Sequence, residues 1–221
     1  GTFVRHVEGY PVGSWWEKRV VDAQFNAAGK LIAGSEMCDD GKGGTVACTS
    51  APRLYLGRPT PAREGAFMPA LTLFNRLRLA GMVDFKRGFY KLDGNLRVRC
   101  ILFLRCRENW FPAEFVDDPA WLAQTQRGGT YVNGLIDDAS FTRLRELSAT
   151  YTLPDTWASR MGASRASITV AGRNLHTWTG YSGIEPEASF LGGSRGGQSA
   201  QWEQNVTPQL AQFITTINLS F

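Results

Sequence analysis

Four cysteines, two histidines and a scatter of aromatic and acidic side chains are the residues of this 221-residue chain that could carry chemistry. The cysteines fall in two close pairs. Cys38 and Cys48 bracket the Gly-rich stretch DDGKGGTVA, and Cys100 and Cys106 bracket ILFLR. Four cysteines allow three connectivities, and pairing within each bracket is the simplest. Two loop disulfides formed in an oxidising compartment are the preferred reading over four reduced, buried thiols. Neither bracket has zinc-finger spacing, and His6 and His176 lie far from both, so no metal is expected.

Catalysis has little to work with. The chain has no G-x-S-x-G elbow, no H-E-x-x-H pair and no phosphate-cradling loop. GGSRGG, at residues 192–197, lacks the strand-to-helix context of a nucleotide loop and reads as a flexible connection. No catalytic residue and no cofactor are expected. Contact chemistry is better represented. Trp110, Trp121, Trp178, Tyr181 and Trp202 fall in or near long irregular stretches, and such rings can stack on sugars or apolar peptide side chains. Local loop packing and membrane-interface anchoring are the alternatives. Asp39, Asp40, Asp137, Asp138, Glu185 and Glu187 could offer oxygens to calcium, although solvated acidic turns are the simpler reading.

The elements that must position these residues are strands. Composition suits a turn-rich β protein, with 24 glycines and 12% aromatics. A net charge of +4 without a dense basic block gives no reason to expect nucleic acid. No stretch approaches the roughly 20 apolar residues of a transmembrane helix. The chain begins at Gly1 rather than Met and carries no signal peptide, so a processed chain or a piece of a longer one is expected.

Residues 1–65 are irregular and rich in Gly and Pro. Then the pattern turns to period two. FMPALTLF sets Phe67, Pro69, Leu71 and Leu73 on one side, and Asn75–Arg76 offers a tight turn into RLRLAGMVDFKRG. There Leu79, Gly81, Val83 and Phe85 oppose Arg78, Ala80, Met82, Asp84 and Lys86. SFTRLRELSATYTLP sets Leu147, Ala149, Tyr151 and Leu153 against Glu146, Ser148, Thr150 and Thr152, and Pro154 stops it. RASITVAGRNLHTW sets Ile168, Val170 and Gly172 against Ser167, Thr169, Ala171 and Arg173. The final AQFITTINLSF sets Phe213, Thr215, Ile217, Leu219 and Phe221 against a mostly polar set. Between the strands, short turns alternate with long connections, within one of which Asp118–Pro119 marks a helix start. Long strands joined alternately by short turns and long loops are the layout of outer-membrane barrels.

Several motifs occur in a recognisable order. DDASFTRLRELSATYTLP is followed by VAGRNLHTWTGYSGIEPEAS and by a last strand ending in Phe221, with EGYPVGSW and YLGRPTPAREGA upstream. Together they resemble the C-terminal portion of SusC/RagA-type TonB-dependent outer-membrane transporters. The resemblance implies an all-β fold: an antiparallel transmembrane β-barrel segment, about five C-terminal strands of a 22-stranded barrel, with long extracellular loops. Residues 1–65 would be an extracellular loop region. Residues 66–221 would hold the barrel strands, with extracellular loops at about 90–138 and 177–206. YTLPDTW would be a periplasmic turn and the C-terminus would lie at the periplasmic face. Phe213, Leu219 and Phe221 would belong to the terminal-strand signal read by the barrel-assembly machinery. Arg143, Arg145 and Arg173 would point inside the barrel toward acids of the plug.

The implied function is uptake of glycans or peptides, with this chain as part of the wall and outer mouth of the importer and performing no enzymatic reaction. The implied partners are the rest of the barrel and plug, a SusD-like surface lipoprotein, TonB acting through the plug region, and outer-membrane lipid. The alternative is a secreted β-rich module that grips glycans through its loop aromatics. A membrane wash with carbonate distinguishes the two.

Overall fold

The computed structural model describes residues 3–189 and 202–221; the GGSRGG stretch lies outside the described residues. The chain forms two units. One draws on Ala62–Arg87, Ser140–Gly180 and Pro208–Phe221, the other on Gly1–Pro61, Gly88–Ala139 and Tyr181–Thr207.

The first unit is an antiparallel sheet. Its order runs from the terminal strand Gln212–Ser220 through Arg165–Thr179 and Phe141–Thr152 to Leu77–Arg87. Beside Leu77–Arg87 lies a ribbon in two pieces, Arg63–Phe67 and Ala70–Leu73. The break falls at Met68–Pro69, because proline has no N–H to give to the ladder. Its carbonyl still accepts from the Gly81 amide at 3.0 Å, so the ribbon keeps its place.

Turn chemistry sets the short connections. Phe74 and Asn75 both take positive φ, 52° and 55°, and the Arg76 amide donates to the Leu73 carbonyl at 3.0 Å. The turn therefore sits one residue earlier than Asn75–Arg76. Asn tolerates the left-handed region and fills the second central position, while the first falls to Phe74. At the other short connection Pro154 ends the ladder and a brief helix, Asp155–Arg160, reverses the chain.

Register assembles the sequence alternation into two faces. Leu147 lies opposite Gly81 and Gly172, and Gly172 opposite Phe213. Ala149 matches Leu79 and Val170; Tyr151 matches Leu77 and Ile168, which in turn meets Ile217. The reverse face carries Thr150, Arg78, Thr169 and Thr216 in one row. A bulge at Arg145, between the paired Leu144 and Glu146, inverts the alternation beyond it. Phe141 and Arg143 thereby turn, buried, to the polar face, and Thr142 and Leu144 join the apolar one.

The second unit holds three small sheets. Val4–Arg5, Ser14–Glu17 and Leu54–Gly57 form one, and Val20–Asp22, Met37–Asp39 and Thr45–Ala47 another. In the third, Tyr90–Asp93 pairs antiparallel with Ile136–Asp138 and parallel with Trp202–Glu203. The helix Pro119–Gln126 starts where Asp118–Pro119 predicts, with Asp118 Oδ1 accepting from the Trp121 amide at 3.2 Å. Among the described residues, both apolar cores lie in this unit. One is built on Trp15, Leu92, Ile101, Val132 and Leu135, the other on Val20, Cys38, Cys48, Ala123 and Tyr131.

The cysteines form two disulfides within their brackets, Cys38–Cys48 and Cys100–Cys106, with Cα atoms 4.8 and 4.9 Å apart. Cys38 and Cys48 are both core residues, so their bond ties a three-stranded sheet to its own interior. Replacing both by Ser is expected to destabilise this unit by roughly 2–3 kcal/mol, from lost cross-linking of the unfolded loop. Limited proteolysis would read this as earlier cleavage between residues 38 and 48, with Cys100→Ser/Cys106→Ser producing a separate cleavage near its own shorter loop.

Candidate functional site

One face of the sheet is apolar and exposed. Phe213 is 81% exposed, Ile217 66%, and Leu147 and Val170 51% each. A continuous apolar patch of this kind marks a surface made for contact with something other than water. Aromatic side chains bound it at both ends. Tyr151 and Phe221 lie toward the short turns, where Phe74 and Trp157 are also exposed, and Phe67, Phe85 and Trp178 lie toward the long connections. Ile168 and Trp178 stand ten residues apart on one strand, about 34 Å of strand length.

The reverse face is charged and internally matched. Arg145 grips Asp84 with two hydrogen bonds of 2.8 Å, Arg173 donates to Glu146 at 3.0 Å, and Lys86 lies 3.9 Å from Glu64. Thr150 and Thr169 hydroxyls meet at 2.9 Å. Arg143 lies buried with its guanidinium 5.4 Å from the Phe141 ring centre. Arg145 and Arg173 thus find acids on their own sheet. Strand register brings these carboxylates within reach before any second domain is needed.

In the other unit, YSGIEPE forms a stapled loop. The Ser182 amide donates to Asp137 Oδ2 at 3.0 Å and the Ile184 amide to Glu203 Oε1 at 2.9 Å. The Glu187 amide donates to Glu185 Oε1 at 3.1 Å. Lys91, 2% exposed, donates from Nζ to the carbonyls of Pro186, at 3.0 Å, and Ala188. Gly183 must be Gly, since a Cβ there would meet the Glu203 carboxylate and the Tyr181 ring. Burial, reinforced by the Glu203 charge, pushes the Tyr181 hydroxyl far above its ordinary pKa, so it stays protonated.

Asp93 belongs to the same buried group. Its carboxylate caps the Leu96 amide at 2.8 Å, and burial, against that hydrogen bond, raises its pKa. The unfolded chain therefore ionises Asp93 from about its reference value of 3.8, while the folded chain holds the proton to higher pH. Stability contributed by Asp93 is complete below 3.8 and is lost as pH rises through its folded pKa. Asp93→Asn keeps an acceptor for the cap. It is expected to abolish the loss of Tm that ionising Asp93 causes as pH rises above 3.8, and so to raise Tm at neutral pH relative to the parent.

The structure does not bring the five aromatic candidates onto one platform. Trp121 and Trp202 pack against the Trp15 core, with Trp121 donating to Glu108 Oε1 at 3.1 Å and Arg97 lying 5.7 Å from the Trp202 ring centre. Tyr181 is buried in the stapled loop. Trp110 is exposed at the end of the short helix Arg107–Trp110. Trp178 stands on the apolar sheet face, with the His176 ring centre 4.5 Å away. The acids are engaged in turns. Asp39 Oδ1 accepts from the Gly41 amide and Asp40 Oδ1 from the Lys42 and Gly44 amides, which holds the Asp40 carboxyl below its usual range. Among the described residues, the one metal-like cluster is the Cys100–Cys106 disulfide with Glu108, whose Oε1 already accepts from Trp121. Lys91, Asp93 and Glu203 escaped sequence reading. Nothing local marks them, since Lys91 reaches the carbonyls of Pro186 and Ala188, 95 and 97 residues away, and Glu203 meets Asn95, 108 residues away.

No family profile matches the chain. It is 25% identical over 224 aligned residues to TonB-dependent receptor P26 of Formosa agariphila, covering 95% of this chain and 22% of that protein. It is 30% identical over 86 residues to TonB-dependent receptor P3 of the same organism, covering 38% of this chain and 9% of that one. Its fold matches the structure of the RagAB peptide importer in the closed-closed state with a TM-score of 0.67 at 21% identity, over all of this chain and 25% of the importer chain. The open-open state gives a TM-score of 0.67 at 22% identity. The chain is homologous to TonB-dependent receptors, a non-enzymatic class, and the resemblance to the SusC/RagA type is borne out. It spans about a fifth of the length of the P26 receptor.

Proposed function

We propose that this chain is barrel wall and outer mouth of a TonB-dependent outer-membrane importer, contributing the C-terminal strands of a 22-stranded barrel. One observation carries the reading. The sheet unit exposes an apolar face between two aromatic rims, while both described apolar cores lie in the other unit. An aqueous face of this size would be a liability; hydrocarbon makes it a fit. On the same reading Trp178 is an interface anchor, and the matched charges of the reverse face look into the lumen or onto the plug.

The unit built from the long connections, Gly1–Pro61, Gly88–Ala139 and Tyr181–Thr207, is the extracellular mouth, and its disulfides suit that oxidising location. The cargo is a glycan or peptide held beneath a SusD-like lipoprotein, and TonB acts through a plug borne elsewhere in the full transporter. Phe213, Leu219 and Phe221 line the outward side of the last strand, where the assembly machinery would read them.

Fractionation tests the membrane half. The full transporter should stay in the pellet after carbonate and leave it only with detergent; release by carbonate would favour the secreted glycan-binding module. An epitope inserted at Gly43, in the exposed DDGKGG turn, should bind antibody on intact cells. Binding only after permeabilisation would overturn the outward placement of the loops.

A further inference from the structure

The outward face carries one charge feature that its own sheet does not neutralise. Arg63 lies directly opposite Arg87 in register, on the same face as Phe67 and Phe85, and both are exposed. Like charges directly opposed across strands are destabilising. Arg87 donates to the Thr142 hydroxyl at 2.6 Å, yet among the described residues no carboxylate lies within ion-pair distance of Arg63 or Arg87. The contrast with the reverse face is direct, since one residue away Lys86 faces Glu64. Two guanidinium groups with an apolar face beside them present forked donors to a doubly charged oxyanion.

What lies next to them on the face is apolar. Phe85 stands beside the pair, its ring filling the space where a side chain on Gly65 would be. Farther along, Gly81 and Gly172 flank Leu147 and open a groove of about 690 Å³ lined also by Leu79, Val170 and Phe213. Arg87 and Gly81 are six residues apart on one strand, roughly 20 Å. A cationic pair, an aromatic step and an apolar groove in line are complementary to a phosphate headgroup and the acyl chain it carries.

We propose that Arg63 and Arg87 hold the phosphate of a phosphorylated glycolipid of the outer leaflet, with an acyl chain laid over Phe85 into the Gly81–Gly172 groove. This rests on the barrel reading, which puts the long-connection end of the strands, where the arginine pair lies, at the outer side. The occupant is a membrane lipid because the groove continues the headgroup site along the same face.

The test uses the full transporter in non-ionic detergent, with diphosphorylated lipid A as probe and native mass spectrometry as readout. The parent should retain the lipid, and Arg63→Gln/Arg87→Gln should lower the bound fraction at least tenfold. Arg160→Gln, at the opposite short turn, should bind like the parent. Fully dephosphorylated lipid should bind the parent no better than the diphosphorylated lipid binds the double variant. Either single substitution should give a several-fold loss, which keeps the test decisive if the double variant fails to assemble. Equal retention by parent and arginine variants, or equal binding of the dephosphorylated lipid, overturns the proposal. The barrel reading is judged separately by carbonate fractionation.

Discussion

On the barrel reading, Val170→Arg is expected to destabilise the folded full transporter by about 1–3 kcal/mol, the penalty for a cation on the lipid-facing band between its midplane and the rim near Ile168. Val170 is half exposed, lies between Ile168 and Gly172 along its strand, and is matched across the sheet by Ala149 and Thr215. In water such a position tolerates arginine within about half a kcal/mol. The size of the effect therefore reports the solvent. Thr216→Arg, exposed on the polar face one residue from Val170's partner Thr215, is the control and should change stability little. Urea titration of the transporter refolded into vesicles, followed by the heat-modifiable shift of the folded barrel on gels, measures both. Near-equal midpoints for the two variants would remove hydrocarbon as the partner of this face.

Lys91→Ala is expected to release the YSGIEPE loop, with a local loss of about 3 kcal/mol. Lys91 is almost wholly buried and donates to two carbonyls of that loop. Hydrogen bonds from a charged donor contribute about 1.5–3 kcal/mol each, and their loss leaves buried acceptors without that donor. The loop's other ties, Ser182 to Asp137 and Ile184 to Glu203, lie on the opposite side of Pro186 and should survive. Hydrogen exchange would show the Glu187 amide speeding up more than a hundredfold while the Leu144 and Ala149 amides of the sheet stay protected. Unchanged exchange at Glu187 would mean the lysine is not the staple. If the loop is part of the mouth, cargo binding should weaken while the sheet stays folded.

Much of the sheet was legible because strand alternation is a local property. Leu147, Ala149 and Tyr151, then Ile168, Val170 and Gly172, then Phe213 through Phe221 each declare a face within a dozen residues, and register only adds them together. Pro154 and Asp118–Pro119 likewise act through their own backbone. Pairing of the cysteines within their brackets followed from proximity along the chain.

What the tertiary structure alone decided depends on residues distant in sequence. Arg145 is a bulge only because of the strands beside it, and that one residue turns Arg143 inward among the charges. Lys91, Asp93, Tyr181 and Glu203 become one buried polar group because three chain segments meet there. Five aromatic residues of similar sequence character were divided among core, loop and sheet face by packing. Period-two apolar spacing describes equally a dry interior and a wall against lipid. Only the tertiary structure shows that the apolar side chains from Leu147 to Phe213 are exposed and that the described cores formed elsewhere, because burial is set by packing between distant segments and not by local alternation.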